Sequence, residues 1–509
     1  MSRCEPGSAE ERARFAELQE RLAPLFDRVF PDPLAPRTVV VVPSLGLDPD
    51  VLAGITGVLH YEERLLCMLL LLRLPRTRVV FVTGMPVDPA IVDYYLHMLP
   101  GVPGSHARKR LTMLSCHDAD TRLGLTEKVL DRPRLVEHIR EAVGDPAIAH
   151  MTCFNTTHAE RTLAVRLGIP LFGCDPDLAE LGSKSGSRRI FAEAGVPHPD
   201  GFEGLRDERD IADSLIELKR RHPELARAAV KLEHGTSGEG NGVFSFGECP
   251  ESGTGLEAWI RGELPARLRL DDRRESWESY MAKFERMGGV VESWIDACER
   301  SPSVQCRVNP QGEVELISTH DQILGGFTKQ QFLGCTFPAD EAYRLDIQDM
   351  GERVGAVLRD KGVLGRYGVD FVSARRGEDW EHQAIEINLR KGGTTHTFRM
   401  LQFLTDGCFD PETGLFLTPA GEPRFYQATD NLKNAHYKRL TPDDLLDVVV
   451  ENGLHFHATT QKGVFFHLIG ALSEFGKLGM VCVGATPAEA HELYRHTVDV
   501  LDREALRGL

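Results

Sequence analysis

Short unbroken apolar runs punctuate the first 180 residues, and amphipathic stretches separate them. Val39–Val42, Val79–Val82, Leu111–Leu114, Ile148–Cys153 and Ile169–Gly173 are brief, rich in β-branched residues and bounded by Pro or Gly. That pattern predicts buried strands. Asp88–Met98 and Arg132–Val143 predict helices between them. Alternation of strand and helix implies a parallel sheet covered on both faces. The first strand runs on into Val42-Pro-Ser-Leu-Gly-Leu rather than GxGxxG, so it carries no dinucleotide fingerprint.

The pattern changes after a break at Leu181–Ser187. Arg188–Gly195 predicts a short helix, stopped by Gly195-Val-Pro197. Ala228–Phe246 predicts a strand, a glycine-rich loop and a second strand. Glu251–Gly288 is charged and helical, and Val290–Ile387 is strand-rich with one helix near Glu341–Lys361. Helices are expected at Thr441–Glu451 and Thr486–Leu501. No internal repeat interrupts this order.

Composition narrows the function classes. With 42% hydrophobic and 27% charged residues the chain has an ordinary globular mix, which excludes a disordered or fibrous protein. At about 150 residues per domain, 509 residues suggest about three domains. The net charge of −17 argues against nucleic-acid or anionic-membrane partners. The longest apolar run, Leu65–Leu72, is far short of the roughly twenty residues a spanning helix needs. A polar N-terminus is no signal peptide, and the 11 cysteines form no CxxC pair. Free thiols in a cytoplasmic protein are the expectation.

Three groups of residues carry chemistry. An apolar strand delivers Lys231, followed by Gly235-Thr236-Ser237-Gly238-Glu239-Gly240. Glycines let backbone N–H groups approach an anion, and the lysine adds a point charge, as a polyphosphate clamp requires; a plain hairpin turn is the alternative. In the second group, Gly368-Val-Asp370 and Ala384-Ile-Glu386-Ile-Asn388 predict adjacent antiparallel strands. Glu386 and Asn388 then share a face, with Asp370 opposite. Three oxygen donors on a hairpin suit Mg²⁺; a solvated polar face is the alternative. The third is Val290-Val-Glu292-Ser-Trp294-Ile295, with Glu299 beyond it. Glu292 would accept from an adenine amino group, the backbone at Trp294 and Ile295 would read the ring edge, and Glu299 would hold ribose hydroxyls. Taken alone, these are surface acids. Among other residues, His320-Asp321 reads as a structural pair, while His467 and Lys462 are candidates to reach the site from the last domain.

The order of these groups resembles the ATP-grasp superfamily across about residues 180–400. Lys184 resembles its first phosphate lysine and Lys231 the second. Gly235–Gly242 resembles the loop that closes over the phosphates. Asp370, Glu386 and Asn388 resemble its Mg²⁺ ligands, and Arg390 its substrate arginine. Glu386-Ile-Asn-Leu-Arg390-Lys-Gly-Gly-Thr394, Gly334-Cys-Thr-Phe-Pro338 and the tail Gln461–His467 with Gly476-Lys-Leu-Gly479 resemble the pheganomycin-type peptide ligases.

That resemblance implies an α/β and α+β fold. Its parts would be a Rossmann-like pre-ATP-grasp domain at 1–180, a two-lobed ATP-grasp domain at 181–400 with a lid lobe at about 187–295, and a small mixed C-terminal domain at 401–509. It implies ATP and Mg²⁺ as cofactors, with Mn²⁺ able to substitute. The partners would be a carboxylate donor and an amine or peptide acceptor, and a homodimer would fit the superfamily. The implied reaction forms an acyl phosphate, with Arg390, Arg366 and Arg307 steadying the oxyanion. An ATP-grasp kinase and a non-catalytic nucleotide-binding protein are the alternatives. The long charged stretch Glu251–Gly288 would reshape the acceptor entrance.

Overall fold

The structure, a computed structural model, describes residues 4–46, 52, 55–235, 240–250, 253–272, 275–296, 298–325 and 331–507. Four strands, β1 (Arg37–Val42), β2 (Thr77–Thr83), β3 (Leu111–Ser115) and β4 (Ala149–Cys153), form a parallel sheet in the order β3-β2-β1-β4. Val39 and Val41 enter one core and Val40 and Val42 another. The first strand is thus apolar throughout because both of its faces are covered.

Ile169–Gly173, expected as a fifth strand, makes only the single bridge Met151↔Leu171. Pro170 lacks an N–H, and its carbonyl accepts from Met151 N while Phe172 N donates to Met151 O. Pro170 cannot extend the ladder toward Ala149, and on the other side the chain turns away, with Gly173 N donating to the Leu171 carbonyl at 3.1 Å. The apolar run Leu65–Leu72 lies in the 3-10 segment Val58–Arg73, wedged between the first sheet and the C-terminal layer.

A second, antiparallel sheet contains β5 (Gly201–Leu205), β6 (Arg227–Leu232), β7 (Asn241–Ser245), β8 (Leu268–Leu270) and β9 (Gly289–Ser293), in the order β5-β9-β6-β7-β8. Helices Glu208–Arg221, Thr254–Arg267 and Trp277–Met287 cover it. The charged stretch therefore builds this lobe's core, through Leu256, Ile260, Leu264 and Tyr280.

The third sheet has ten strands: β10 (Pro302–Val308), β11 (Val314–Gly325), β12 (Gln331–Phe337), β13 (Gly365–Arg376), β14 (Asp379–Asn388), β15 (Cys408–Asp410), β16 (Leu415–Leu417), β17 (Pro423–Lys433), β18 (Gly463–His467) and β19 (Lys477–Gly484). Its path is β14-β13-β10-β11-β12-β17-β16-β15, and β19 joins β17 to β18. Because β12 pairs with β17, C-terminal strands continue the sheet that carries Asp370 and Glu386. Among the described residues no helix is long and apolar enough to cross a membrane.

The helix expected at Arg188–Gly195 begins earlier, at Lys184, and ends at Glu193. Ser183 caps it by accepting from Gly186 N at 3.0 Å. Gly186 is obligatory there, since a Cβ would lie 1.9 Å from the Glu180 carbonyl oxygen. Lys184 consequently projects from a helix N-terminus rather than a loop.

Candidate active site

A cleft of ≈ 950 Å³ opens between the second and third sheets. Lys184, Lys231 and Gly235 line it together with Asp370, Glu386 and Asn388. Glu292, Trp294, Ile295 and Arg390 complete that part of the wall. A cavity of this size is at the upper end for small-molecule sites and accommodates a nucleotide beside a second ligand.

The hairpin β13–β14 sets the acidic side. Asp370 stands opposite Glu386, and Gly368 opposite Asn388. Gln322 Nε2 donates to Asp370 Oδ1 at 2.9 Å, and Asn388 Nδ2 donates to Oδ2 at 2.9 Å. Burial and the facing Glu386 push the Asp370 carboxyl up to about 7, although Arg390 and Lys184 oppose the shift.

Each phosphate-lysine candidate already touches an acid. Lys184 Nζ lies 2.6 Å from Glu386 Oε1. Lys231 Nζ lies 2.6 Å from Glu292 Oε2, while Arg188 Nη1 donates to Glu292 Oε1 at 2.8 Å. Both Glu292 oxygens are thus engaged by cations. Burial favours the neutral acid, but Lys231 and Arg188 outweigh it and hold this carboxyl below its ordinary range. Glu233, which the sequence reading passed over, binds Ser185 N at 2.6 Å and Ser185 Oγ at 2.7 Å. It thereby fastens the glycine-loop strand to the helix that carries Lys184. Gly240 follows the loop with φ +81°, and a Cβ there would meet Leu232 at 2.9 Å. Thr236, Ser237 and Gly238 lie outside the described residues.

Other candidates lie elsewhere. Glu299 is exposed and absent from the cleft wall; its N–H donates to the Ser373 carbonyl. Arg307 and Arg366 stand opposite each other on β10 and β13 and line a second, smaller pocket. His467 is buried against His396, with ring centroids 4.3 Å apart, and Lys462 pairs with Glu489. Neither lines the cleft. His320 and Asp321 do not pair: His320 Nε2 meets Tyr426 Oη at 2.8 Å, and Asp321 accepts from Tyr343 Oη at 2.6 Å. Neighbouring strand residues point to opposite faces, which separates the two.

Sequence reasoning also missed the far wall of the cleft. Tyr61, Arg64, Asp430, Lys433 and Lys477 line it. Arg64 forms an ion pair with Asp430, and Lys477 Nζ donates to Tyr61 Oη at 2.6 Å. Burial pushes the Lys477 ammonium down to about 8. Only Lys477 carried a sequence signal, as part of the tail motif.

Comparison with known proteins agrees with this geometry. Residues 176–246 and 266–412 match the family described as IQCH-like, ATP-grasp, and residues 444–497 match the PGM1 C-terminal domain. An L-propargylglycine–L-glutamate ligase of Streptantibioticus cattleyicolor is 31% identical over 476 residues, covering 91% of this chain and 94% of that protein. Biotin carboxylase of Campylobacter jejuni, solved with β,γ-ATP, superposes with a TM-score of 0.54 at 13% identity, over 93% of this chain and 95% of that one. The biotin carboxylase domain of Hydrogenobacter thermophilus 2-oxoglutarate carboxylase, solved with MgADP, gives 0.55 at 13% identity, over 91% and 89%. These two likenesses establish the fold; ATP-grasp enzymes bind ATP with Mg²⁺. The chain belongs to the ATP-grasp superfamily, as an amino-acid ligase that forms a carbon–nitrogen bond.

Proposed function

We propose that the cleft takes ATP with Mg²⁺ and joins the carboxylate of one amino acid to the amine of a second amino acid or of a peptide. The observation that carries this reading is one cleft holding Lys184, Lys231, Asp370, Glu386, Asn388 and Arg390 together. The donor set fits a hard divalent cation. Two carboxylates face each other, and their repulsion contributes to the raised Asp370 acid; a cation bound by oxygen donors would relieve it. Asp370, Glu386 and Asn388 would hold Mg²⁺, or Mn²⁺ in its place, and the ion would supply charge neutralisation on the phosphates.

A carboxylate is a poor electrophile, because oxide would have to leave. In the proposed first step a carboxylate oxygen attacks the γ-phosphorus. An O–P bond forms, the bond to the β-bridging oxygen breaks, and ADP departs. Lys184 exchanges Glu386 for phosphate oxygens, Lys231 meets them while still held by Glu292, and together they hold the chain in line. The backbone at Trp294 and Ile295 meets the base, and Glu292 keeps Lys231 in position. In the second step the amine attacks the acyl carbon. A C–N bond forms, phosphate leaves, and the amine proton passes to phosphate or solvent. Arg390 faces the acyl oxygen, where one preorganised donor contributes roughly 3 kcal/mol in comparable sites.

The relative's substrates, L-propargylglycine and L-glutamate, are the first pair to assay. The test follows ADP and free phosphate alongside product mass. Equal ADP and phosphate, dependence on an amine, and a product lighter by one water than its two substrates combined support the ligase. ADP without free phosphate, with phosphate mass retained on the product, would overturn it in favour of a kinase.

A further inference from the structure

The sheet face that carries Asp370 continues into a row of cations. Ser303, Asp370 and Glu386 occupy one row across β10, β13 and β14. Gln305, Gly368 and Asn388 form the next, and Arg307 opposite Arg366 the one after that. Arg390 lies two residues past Asn388 and extends this third row beyond the strand's end. Two residues of strand advance about 6.6 Å, so consecutive rows are about that far apart on a single face.

The third row borders a separate cavity of ≈ 30 Å³. Lys391 and Arg399 join Arg307, Arg366 and Arg390 in its lining, with no acid among the lining residues. Arg307 is paired with Glu315, and Lys391, 7% exposed, donates to Thr152 Oγ1 at 2.9 Å. The side chains of Arg366 and Arg399 have no ion pair or hydrogen bond among the described residues, and the Nε of each is buried without a partner, although the Arg399 guanidinium lies 5.7 Å from the centre of the Phe403 ring. Burial lowers both guanidiniums, and Lys391 falls to about 8. Crowded buried cations are costly unless an anion joins them. Arg390 and Phe154 line this cavity and the large cleft alike, so the two meet there.

Resting on the ligase reading above, we propose that this pocket binds the non-reacting carboxylate of an acidic amino-acid substrate, through Arg366 and Arg399, while the substrate's other end lies in the cleft. The volume suits one small oxyanion and excludes a triphosphate. The guanidinium forks match a carboxylate in bidentate fashion. Position favours a tethered group, since the pocket is one row beyond Asn388 on the same face. Free phosphate has the same chemistry and is the competing occupant.

The test uses the full-length protein, with Arg399→Met and Arg399→Lys beside wild type. Calorimetry without ATP measures binding of L-glutamate, L-aspartate, L-alanine and inorganic phosphate. Thermal unfolding and ADP affinity check that each variant is folded. Expected is binding of an acidic amino acid by wild type, weakened about 10–100-fold in Arg399→Met as hydrogen bonds to a charged group are lost, partly restored in Arg399→Lys, with ADP affinity unchanged. Phosphate binding that depends on Arg399, without binding of either acidic amino acid, would overturn the assignment in favour of free phosphate. Equal binding of L-alanine and the acids, or no effect of Arg399→Met, would also overturn it. ADP release with pooled amino acids tests the ligase reading separately. Its absence alongside Arg399-dependent glutamate binding would sink that reading while leaving the pocket an oxyanion site.

Discussion

Lys184 and Glu386 are 202 residues apart in the chain, and their side chains meet at 2.6 Å. Ser187 Oγ accepts from Ile387 N at 3.0 Å, which ties the helix of Lys184 to the strand of Glu386. The candidate phosphate cation and the candidate metal carboxylate are therefore positioned as one unit. Glu386→Gln removes a metal-binding charge while keeping the shape. ADP release in the amino-acid assay should fall at least about 10²-fold, with an unfolding midpoint close to wild type. Undiminished turnover would remove Glu386 from the metal site.

Glu292 sits between Arg188 and Lys231 and is only 3% exposed. Glu292→Gln leaves Lys231 without its ion-pair partner and Arg188 with only the partly exposed Glu203 to offset it. Loss of one partner from a buried ion cluster costs about 3–5 kcal/mol. Urea unfolding should register that loss, and KM for ATP should rise as Lys231 loses its anchor. A stability change below about 1 kcal/mol would show that water relaxes around the site.

The hairpin that carries the candidate metal ligands was legible because it is local. Asp370 and Glu386 are close in sequence on one hairpin, and strand alternation puts Glu386 and Asn388 on one face, while a register shift between Asp370 and Phe371, which the sequence does not reveal, sets Asp370 opposite Glu386. Gln322, which holds Asp370, comes from β11, and Asp430 and Lys477 come from β17 and β19. No short-range pattern marks Gln322 or Asp430, and Lys477 stands out only within the tail motif; the sheet topology brings them in. The start of the helix at Lys184 was obscured for a different reason. Ser185, Gly186 and Ser187 are weak helix formers, and they read as a break. Glu233 binds Ser185, Gly186 admits the Glu180 carbonyl, and Ser187 binds β14. Tertiary contacts thus outweigh local propensity there. Ile169–Gly173 failed in the opposite direction, because Pro170 cannot extend the ladder on one side and the chain turns at Gly173 on the other.

Gly240 closes the glycine loop in the left-handed region, and Tyr280 Oη donates to its carbonyl at 3.3 Å and to that of Val230 at 3.2 Å. Gly240→Ala forces a Cβ against Leu232 and a side chain into positive φ, a cost of about 1–2 kcal/mol. Part of it will appear as a displaced hairpin beside Lys231. KM for ATP should rise several-fold, with a smaller change in kcat. A change in kcat alone would mean that the loop does not meet the nucleotide in the ground state.

Glu62 gives the fold a pH dependence independent of the candidate metal ligands. Its side chain is 9% exposed, and Oε2 accepts from Gly84 N at 2.7 Å. Burial pushes this carboxyl from 4.5 up to about 8, against the opposing influences of the Gly84 N–H and Lys128. The folded protein therefore keeps a proton that the unfolded chain has released above its own, lower pKa. The stabilisation is fully present below about pH 4.5 and is lost as the pH climbs through about 8. Between these limits Glu62 tilts stability downward by up to about 1.4 kcal/mol per pH unit. Glu62→Gln substitutes a permanently neutral group of similar shape and should flatten that slope. Urea midpoints at pH 5, 6.5 and 8 will show wild type falling relative to the variant, with the widest gap at pH 8. Parallel curves would mean that Glu62 is ionised in the folded state across this range, with Lys128 and the Gly84 N–H compensating its burial.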